Sequence, residues 1–394
     1  MKTLPTISFE DTAVAFSYKS DGALKKAHFI FALLNYPLIA SLATRALKLA
    51  LTIGLPVEGL IRNTVFFHFC GGETIEKSNS AIIKLGQHNV CTILDYSVEG
   101  EKTESGFDAT LNELIRTIEY AKTSPHIPFS VFKVTGLAAT ELLEKIQKKD
   151  ALTKAECEAW TKVRNRVDVI CAKAHECNIA VLIDAEESWI QNTIDDLAYD
   201  MMIKYNQKKT VVYNTFQLYR KDSFALLQHA LAHAKAQNHF LGAKLVRGAY
   251  MEKERDRAEA LHYDNPIHPT QEATDKAFNK ALAFCMQNKE SLSLVCGSHN
   301  EYSNHYLTEL MAEHDLEAND NRIWFAQLYG MSDTISFNLA KAGYHVAKYV
   351  PYGPVKSVMP YLFRRAEENT SVAGQSNREL VQIKKELKRR SQKA

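Results

Sequence analysis

Tyr361, Arg364, Arg365 and Glu368 fall at i, i+3, i+4 and i+7 of a segment that reads as a helix, so they stand one above another on a single face. Two adjacent guanidiniums in such a row have the fork geometry to clamp a small carboxylate. The other face carries Val355, Val358, Met359, Leu362, Phe363 and Ala366, enough apolar surface to anchor the helix on a core. Lys348-Tyr-Val-Pro-Tyr-Gly-Pro354 delivers a strand into this helix, and Pro354 suits the first turn, where its missing N–H has no intrahelical partner to lose. The same spacing also fits a solvated face on which Arg364 pairs with Glu368 at i+4. The helix alone does not choose between the two.

More residues of this kind recur where short apolar runs end. They are Asp95 and Glu99, then Lys133, then Asp184 with Glu186 and Glu187, then Gln217. Lys244 to Arg247-Gly-Ala-Tyr250, Ser298-His299-Asn300 and Tyr349 follow. Each has a bland alternative. A strand-end Asp often caps the next helix, His299-Asn300 suits an N-cap, and Lys133 can reach a solvated rim. Charges flanked by Val, Ile and Phe are costly to bury unpaired, so their joint recurrence points to one polar centre.

The elements that would gather them are short β-branched or aromatic runs alternating with longer amphipathic stretches. The strands expected are Val90–Tyr96, Phe129–Thr135, Ile179–Asp184, Val211–Gln217, Ala243–Arg247, Leu292–Gly297, Ile323–Gln327 and Val346–Val350. Val65–Phe69 is set aside, because Gly71-Gly72 and a helical pattern follow it. Repeated βα units at this spacing predict an α/β protein of the TIM type, a (β/α)8 barrel with chemistry at the C-terminal strand ends. Residues 1–88 read as an N-terminal helical extension, with Phe29–Leu34 and Leu38–Leu51 on either side of Pro37. Residues 89–370 read as the barrel, including the clamp helix 354–369. A basic tail, 371–394, carries Lys384, Lys385, Lys388, Arg389, Arg390 and Lys393 on an exposed helix or a frayed end.

Composition narrows the field. Lys+Arg 48 against Asp+Glu 46 leaves +2, which gives no reason to expect a nucleic acid partner. Cys70, Cys91, Cys157, Cys171, Cys177, Cys285 and Cys296 are scattered, without C-x-x-C or zinc spacing, and read as reduced intracellular thiols. His262, Asp264 and His268 around Pro266 read as a surface loop, and no metal is expected. Met1 to Glu10 lacks the pattern of a secretory leader, and Phe29–Thr44, broken by Asn35 and Pro37, is too short to span a bilayer. No G-x-G-x-x-G follows an expected strand, which argues against a Rossmann-type dinucleotide site.

Several stretches carry a family resemblance. Phe132-Lys-Val-Thr-Gly-Leu-Ala138, Leu182-Ile-Asp-Ala-Glu-Glu187, Gly242-Ala-Lys-Leu-Val-Arg-Gly-Ala-Tyr250 and Gly297-Ser-His-Asn300 are four of them. With Lys348 to Pro354, Tyr361-Leu-Phe-Arg-Arg365 and Glu368-Asn369 they resemble proline dehydrogenase, in order from about Phe69 to Asn369. The resemblance implies a distorted (β/α)8 barrel that holds FAD, oxidises L-proline to pyrroline-5-carboxylate and passes electrons to a membrane quinone. It further implies that Arg364 and Arg365 grip the proline carboxylate with help from Lys133, while Tyr361 and Tyr349 line the ring. Asp184 matches the family's active-site Asp, Glu368 orients its neighbours, and Glu99 pairs with an arginine and gates the pocket. Ala185, Gln217, Arg247, Gly248, Ala249, Tyr250, Ser298, His299 and Asn300 fall on flavin-holding positions. Lys244 lies where many bacterial members carry Arg near flavin N5 and O4; lysine keeps that charge and loses the fork.

Hydride would pass from proline C5 to flavin N5, with Asp184 and Lys244 as the catalytic pair. Rival readings are hydroxyproline oxidation on the same scaffold and a Schiff-base aldolase using Lys133. A membrane-surface protein using the basic tail is a third. Tyr349 is the residue expected to exclude the hydroxyl of hydroxyproline. A cytoplasmic location is expected, or a peripheral one on an inner membrane, mitochondrial for a eukaryotic chain.

Overall fold

The computed structural model describes residues 7–36, 45–47, 53, 55, 57–97, 101–371 and 375–392, with backbone alone at 60, 63, 366–371 and 375–376. Its strands are β1 Val90–Tyr96, β2 Phe129–Phe132, β3 Ala180–Ile183, β4 Val212–Gln217, β5 Leu241–Val246, β6 Leu292–Gly297, β7 Ile323–Leu328 and β8 Val346–Tyr352. They close into a barrel in chain order, and the paired strands from β1 to β7 run parallel. Strands in such a barrel are covered on both faces, so they read as near-continuous apolar runs; β4 and β8 are buried along their whole length. The expected (β/α)8 architecture is therefore the observed one.

The helices are α1 Asp21–Leu34, α2 Ile75–Gly86, α3 Glu104–Lys122, α4 Thr140–Lys148, α5 Lys154–Cys177, α6 Ser188–Tyr205 and α7 Ser223–Ala236. Then come α8 Met251–Ala260, α9 Gln271–Gln287, α10 Glu301–Glu313, α11 Asp333–Lys341, α12 Val355–Ser371 and α13 Gln375–Ser391. Arg62–Phe66 is a π-helical turn running into Phe67–Phe69, so Val65–Phe69 is helical and its exclusion from the sheet holds. Leu38–Leu51 lies largely outside the described residues. No helix among those described is long and apolar enough to cross a membrane.

Three expected strands stop short, among them β5, which ends at Val246, one residue before Arg247. β2 ends at Phe132 and Val134–Gly136 forms a 3-10 turn, while β3 ends at Ile183, just before Asp184. For β2 the reason is a change of hydrogen-bond partner, since the Thr135 N–H donates to the Glu186 side chain at 3.0 Å rather than to a neighbouring strand, whereas the Asp184 N–H after β3 still donates to Phe132 O at 3.0 Å. Lys133 and Asp184 consequently sit in the turns just beyond the ladder.

The chain folds as two compact units, one spanning Ile93–Ala326 and the other Pro5–Thr92 with Gln327–Ala394. In the second, one apolar cluster joins Leu24, Ile30 and Phe31 of α1 to Phe66, Phe69, Val358, Met359 and Leu362, and to Leu380 and Ile383 of α13. The basic C-terminal segment is thus a docked helix rather than a frayed end. Lys385 pairs with Glu10 at 3.0 Å, Arg390 with Asp21 at 2.7 Å, and Arg389 and Arg390 share the buried Glu386.

Candidate active site

In the first unit the turns after β2 and β3 and strand β5 bring three charged side chains together. Asp184 accepts from Lys244 Nζ on Oδ1 at 2.5 Å and faces Lys133 Nζ from Oδ2 at 3.4 Å. All three side chains are nearly buried, at 12%, 8% and 10% exposure for Asp184, Lys244 and Lys133. Charges that deep persist when paired. The rim reading of Lys133 and the capping reading of Asp184 both give way to this trio. Within the trio two lysines face one carboxylate, an excess of positive charge that suits an anionic ligand.

Gln217, at the end of β4, is fully buried and oriented by two backbone groups. Its Nε2 donates to Glu186 O at 2.7 Å, and its Oε1 accepts from Ala249 N at 3.2 Å. A carboxamide has two N–H donors and two lone pairs, so one of each is left for a planar ring edge that offers both functions. Ala185 and Gln217 also line a small cavity with Gln191, Asp195, Thr215 and Arg220.

Arg247 follows β5 and is fixed on every nitrogen. Nε donates to Asp275 at 2.6 Å, and the two terminal nitrogens donate to Ser298 Oγ at 2.7 Å and Ser303 Oγ at 2.9 Å, with the guanidinium over the Phe278 ring. Ser298 Oγ in turn accepts from Asn300 N at 3.1 Å. Asn300 is the N-cap of α10, accepting from Ser303 N at 3.0 Å, so the capping reading is realised there; His299 is half-buried beside it. Gly248 has φ +150° and lies flat on Tyr219, where a Cβ would come within 2.4 Å of the ring. Tyr250 is buried at the start of α8.

Glu186 was picked out from sequence as a strand-end charge but given no role, and Asp195 was not picked out at all, although the site is built on both. Both Thr135 N and Thr135 Oγ1 donate to the Glu186 carboxyl group. Gln191 Oε1 accepts from Glu186 N at 2.7 Å, while Gln191 Nε2 and Asn214 Nδ2 each donate to Asp195 Oδ1 at 2.8 Å. Burial pushes Glu186 up to about 7 against its Thr135 hydrogen bonds, and pushes Asp195 up to about 6. A signal was present in the chain. Gln191 and Asp195 stand at i and i+4 within the Ile190, Ile194, Leu197 and Ala198 stripe of α6, where a surface helix would place apolar side chains. Glu254 was missed too; fully buried, it accepts from Ser188 N and Ser188 Oγ, both at 2.6 Å, and so caps α6.

The second unit holds the clamp helix. Tyr361 belongs to the apolar cluster and Arg365 is 5% exposed, its guanidinium 5.1 Å from the Tyr361 ring. The face expected to look outward is therefore largely buried, and the solvated-face alternative does not describe Arg365. Arg364 is half-buried. Glu368 lies on the helix, with its side chain outside the described set, and Glu99 falls outside the described residues. Tyr349 is buried on β8, and its carbonyl accepts from Tyr329 N at 2.9 Å. Beside it Lys348 is wholly buried, pairing with Asp333 at 3.0 Å and donating to Met331 O. Asp333 also takes Lys19 at 2.8 Å and the Tyr18 hydroxyl at 2.8 Å. Burial opposes ionisation of Asp333, but Lys19 and Lys348 together outweigh it and hold the carboxyl well below its ordinary value. No group of His, Cys, Asp and Glu among the described residues could hold a metal ion.

Comparison with known proteins places the chain in a family. Residues 78–378 match the family model for proline dehydrogenase. Proline dehydrogenase 1, mitochondrial, of Dictyostelium discoideum is 34% identical over 96% of this chain and 74% of its own length. The carbapenem antibiotics biosynthesis protein CarD of Pectobacterium carotovorum subsp. carotovorum is 33% identical over 83% of this chain and 84% of its own. Among solved structures, proline utilization A from Bdellovibrio bacteriovorus shares the fold with a TM-score of 0.71 at 18% identity, covering 92% of this chain and 37% of that one. A family model spanning most of the chain, and relatives a third identical along most of both lengths, leave one assignment: the chain belongs to the proline dehydrogenase family of oxidoreductases.

Proposed function

We propose that this protein oxidises L-proline to pyrroline-5-carboxylate, with FAD held at the strand ends of the barrel and a quinone as the electron acceptor. The observation that carries the reading is the buried Lys133–Asp184–Lys244 trio, which gathers the residues that the resemblance gives to substrate carboxylate, active-site Asp and flavin. The residues present suit a flavin dinucleotide. Gln217, Ala185 and Lys244 would meet the ring system, and Arg247, Gly248, Ala249, Tyr250, Ser298, His299 and Asn300 the rest of the cofactor. FAD, when bound, supplies a two-electron acceptor for the hydride leaving proline C5.

Arg364 and Arg365, with Lys133, take the substrate carboxylate. Tyr349 and Tyr361 pack on the ring, Glu368 orients its neighbours, and Glu99 pairs with an arginine at the pocket mouth. A site rich in cations binds the carboxylate yet disfavours the ammonium form, which leaves the ring nitrogen neutral and its lone pair available as the imine forms. Lys133 is held against Asp184, which speaks against its serving as a Schiff-base amine, and borohydride trapping with a carbonyl substrate would detect that chemistry. A lipid-soluble acceptor entails contact at a membrane surface, in the cytoplasm or at a mitochondrial inner membrane. On α13, Lys384 and Lys388 are exposed cations for it, whereas Lys385, Arg389 and Arg390 are engaged within the fold.

The test is the visible spectrum of the purified protein. The protein should be yellow, and L-proline added anaerobically should bleach the flavin band, with kcat/KM higher for L-proline than for 4-hydroxyproline. A colourless protein that gains no activity with FAD would overturn the cofactor, and turnover favouring hydroxyproline would overturn the substrate.

A further inference from the structure

Glu186 is bound to three neighbouring segments at the strand ends, through Thr135, Gln191 and Gln217. Its carboxyl group takes both Thr135 donors, two residues beyond Lys133, and its chain position is two residues beyond Asp184. Its backbone carbonyl orients Gln217 at 2.7 Å, and its backbone N–H is held by Gln191 Oε1 at 2.7 Å. One residue that is 2% exposed therefore ties the ends of β2, β3 and β4 to α6. An apolar occupant would serve if only filling were needed, because a buried carboxyl costs desolvation that an apolar side chain of that size does not.

We propose that Glu186 is a positioning residue that fixes Lys133, Asp184 and Gln217 in one arrangement, and that its charge state sets how strongly that arrangement attracts an anion. The charged and titratable groups facing it are Lys133 from the β2 turn, Glu187 beside it and, through Gln191, Asp195 of α6. Protonated, it leaves the positive weight of the lysines intact; ionised, it adds a negative charge near Lys133 and weakens the hold on a carboxylate or a reduced flavin. Burial brings that ionisation close to neutral pH. The inference rests on the proposed function in both arms, on FAD for the positioning role and on L-proline for the charge role.

The experiment compares wild type, Glu186→Gln, Glu186→Ala and Thr135→Val as holoenzymes from pH 5.5 to 9, following the FAD dissociation constant by flavin fluorescence and kcat and KM for L-proline. Glu186→Gln keeps the acceptor for Thr135 N and removes the charge. Its FAD affinity should stay within about twofold of wild type, while its KM lacks the rise that wild type shows relative to it as pH passes neutrality. Glu186→Ala should weaken FAD binding and kcat/KM by on the order of tenfold each, and Thr135→Val should do the same to a smaller degree. Wild-type FAD affinity in both Glu186→Ala and Thr135→Val would overturn the positioning role. An unchanged ratio of wild-type to Glu186→Gln KM across the pH range would overturn the charge role. Wild type that binds FAD but ignores L-proline would remove the proposed substrate, and the FAD measurements would still decide the positioning role.

Discussion

At the scale of single residues, Arg365 decides whether the clamp reading is right. A guanidinium 5% exposed and stacked over Tyr361 has surrendered most of its hydration, so a carboxylate arriving against it gains a charge-assisted bond in a site with little competing water. Replacement by methionine keeps the volume and removes the fork. Arg365→Met should therefore raise KM for L-proline by an amount worth about 2–5 kcal/mol, with FAD content unchanged. Steady-state kinetics beside the flavin-to-protein absorbance ratio give both numbers, and a KM like that of wild type would show that Arg365 braces Tyr361 and binds nothing. Arg365 and Asp184 were legible in the sequence because each sits at a telling place, a helix face or a strand end. The partners that hold them were less so. Nothing local to Glu186 or Glu254 says that one will accept from Thr135 and the other from Ser188, since both contacts join segments far apart in the chain. The burial of Tyr361 was hidden in the same way, because helical spacing defines a row but not what packs against it.

At the scale of elements, all eight strands were readable in number and place, since parallel strands covered on both faces leave an apolar run that little else imitates. Their ends were not, because a strand such as β2 stops where its next N–H finds another partner, as Thr135 does. The turn after β5 shows how much such an end can depend on one residue. Gly248, at φ +150°, lets the backbone lie on the Tyr219 ring and presents Ala249 N to Gln217. Any Cβ there meets the ring at 2.4 Å in a backbone conformation that L side chains rarely adopt. Gly248→Ala should push the turn off Tyr219, break the Ala249–Gln217 contact and lower FAD affinity more than it lowers thermal stability. Parallel measurement of Tm and the FAD dissociation constant separates the two, and a variant with wild-type FAD affinity would show that the turn does not shape the cofactor site.

At the scale of the whole molecule, buried ionisable groups tie stability to pH with opposing signs. Glu379 of α13, which accepts from Ser332 N, is pushed by burial from an ordinary 4.5 up to about 7, as is Glu186. Between those values the folded chain keeps a proton that the unfolded chain releases, so their contribution is full below pH 4.5 and is lost as pH rises through about 7. His68 works the other way. Burial holds it at about 3 against an ordinary 6.5, so it stays neutral in the fold and costs stability as pH falls below 6.5. Asp333, held low by its two lysines, adds stability that is lost only as pH drops below the ordinary carboxylate range. The overall slope between pH 5 and 8 is a difference between these contributions and identifies none of them. Glu379→Gln isolates one, because the amide still accepts from Ser332 N but cannot ionise. Relative to wild type, this variant should gain stability as pH is raised from 5 to 8, by on the order of 2 kcal/mol, most of it before pH 7. Denaturant unfolding of both proteins at each pH reads that difference directly. A difference that does not change with pH would mean that Glu379 is already ionised in the fold at pH 5, and that Lys348 and Lys19 reach it more strongly than its burial suggests.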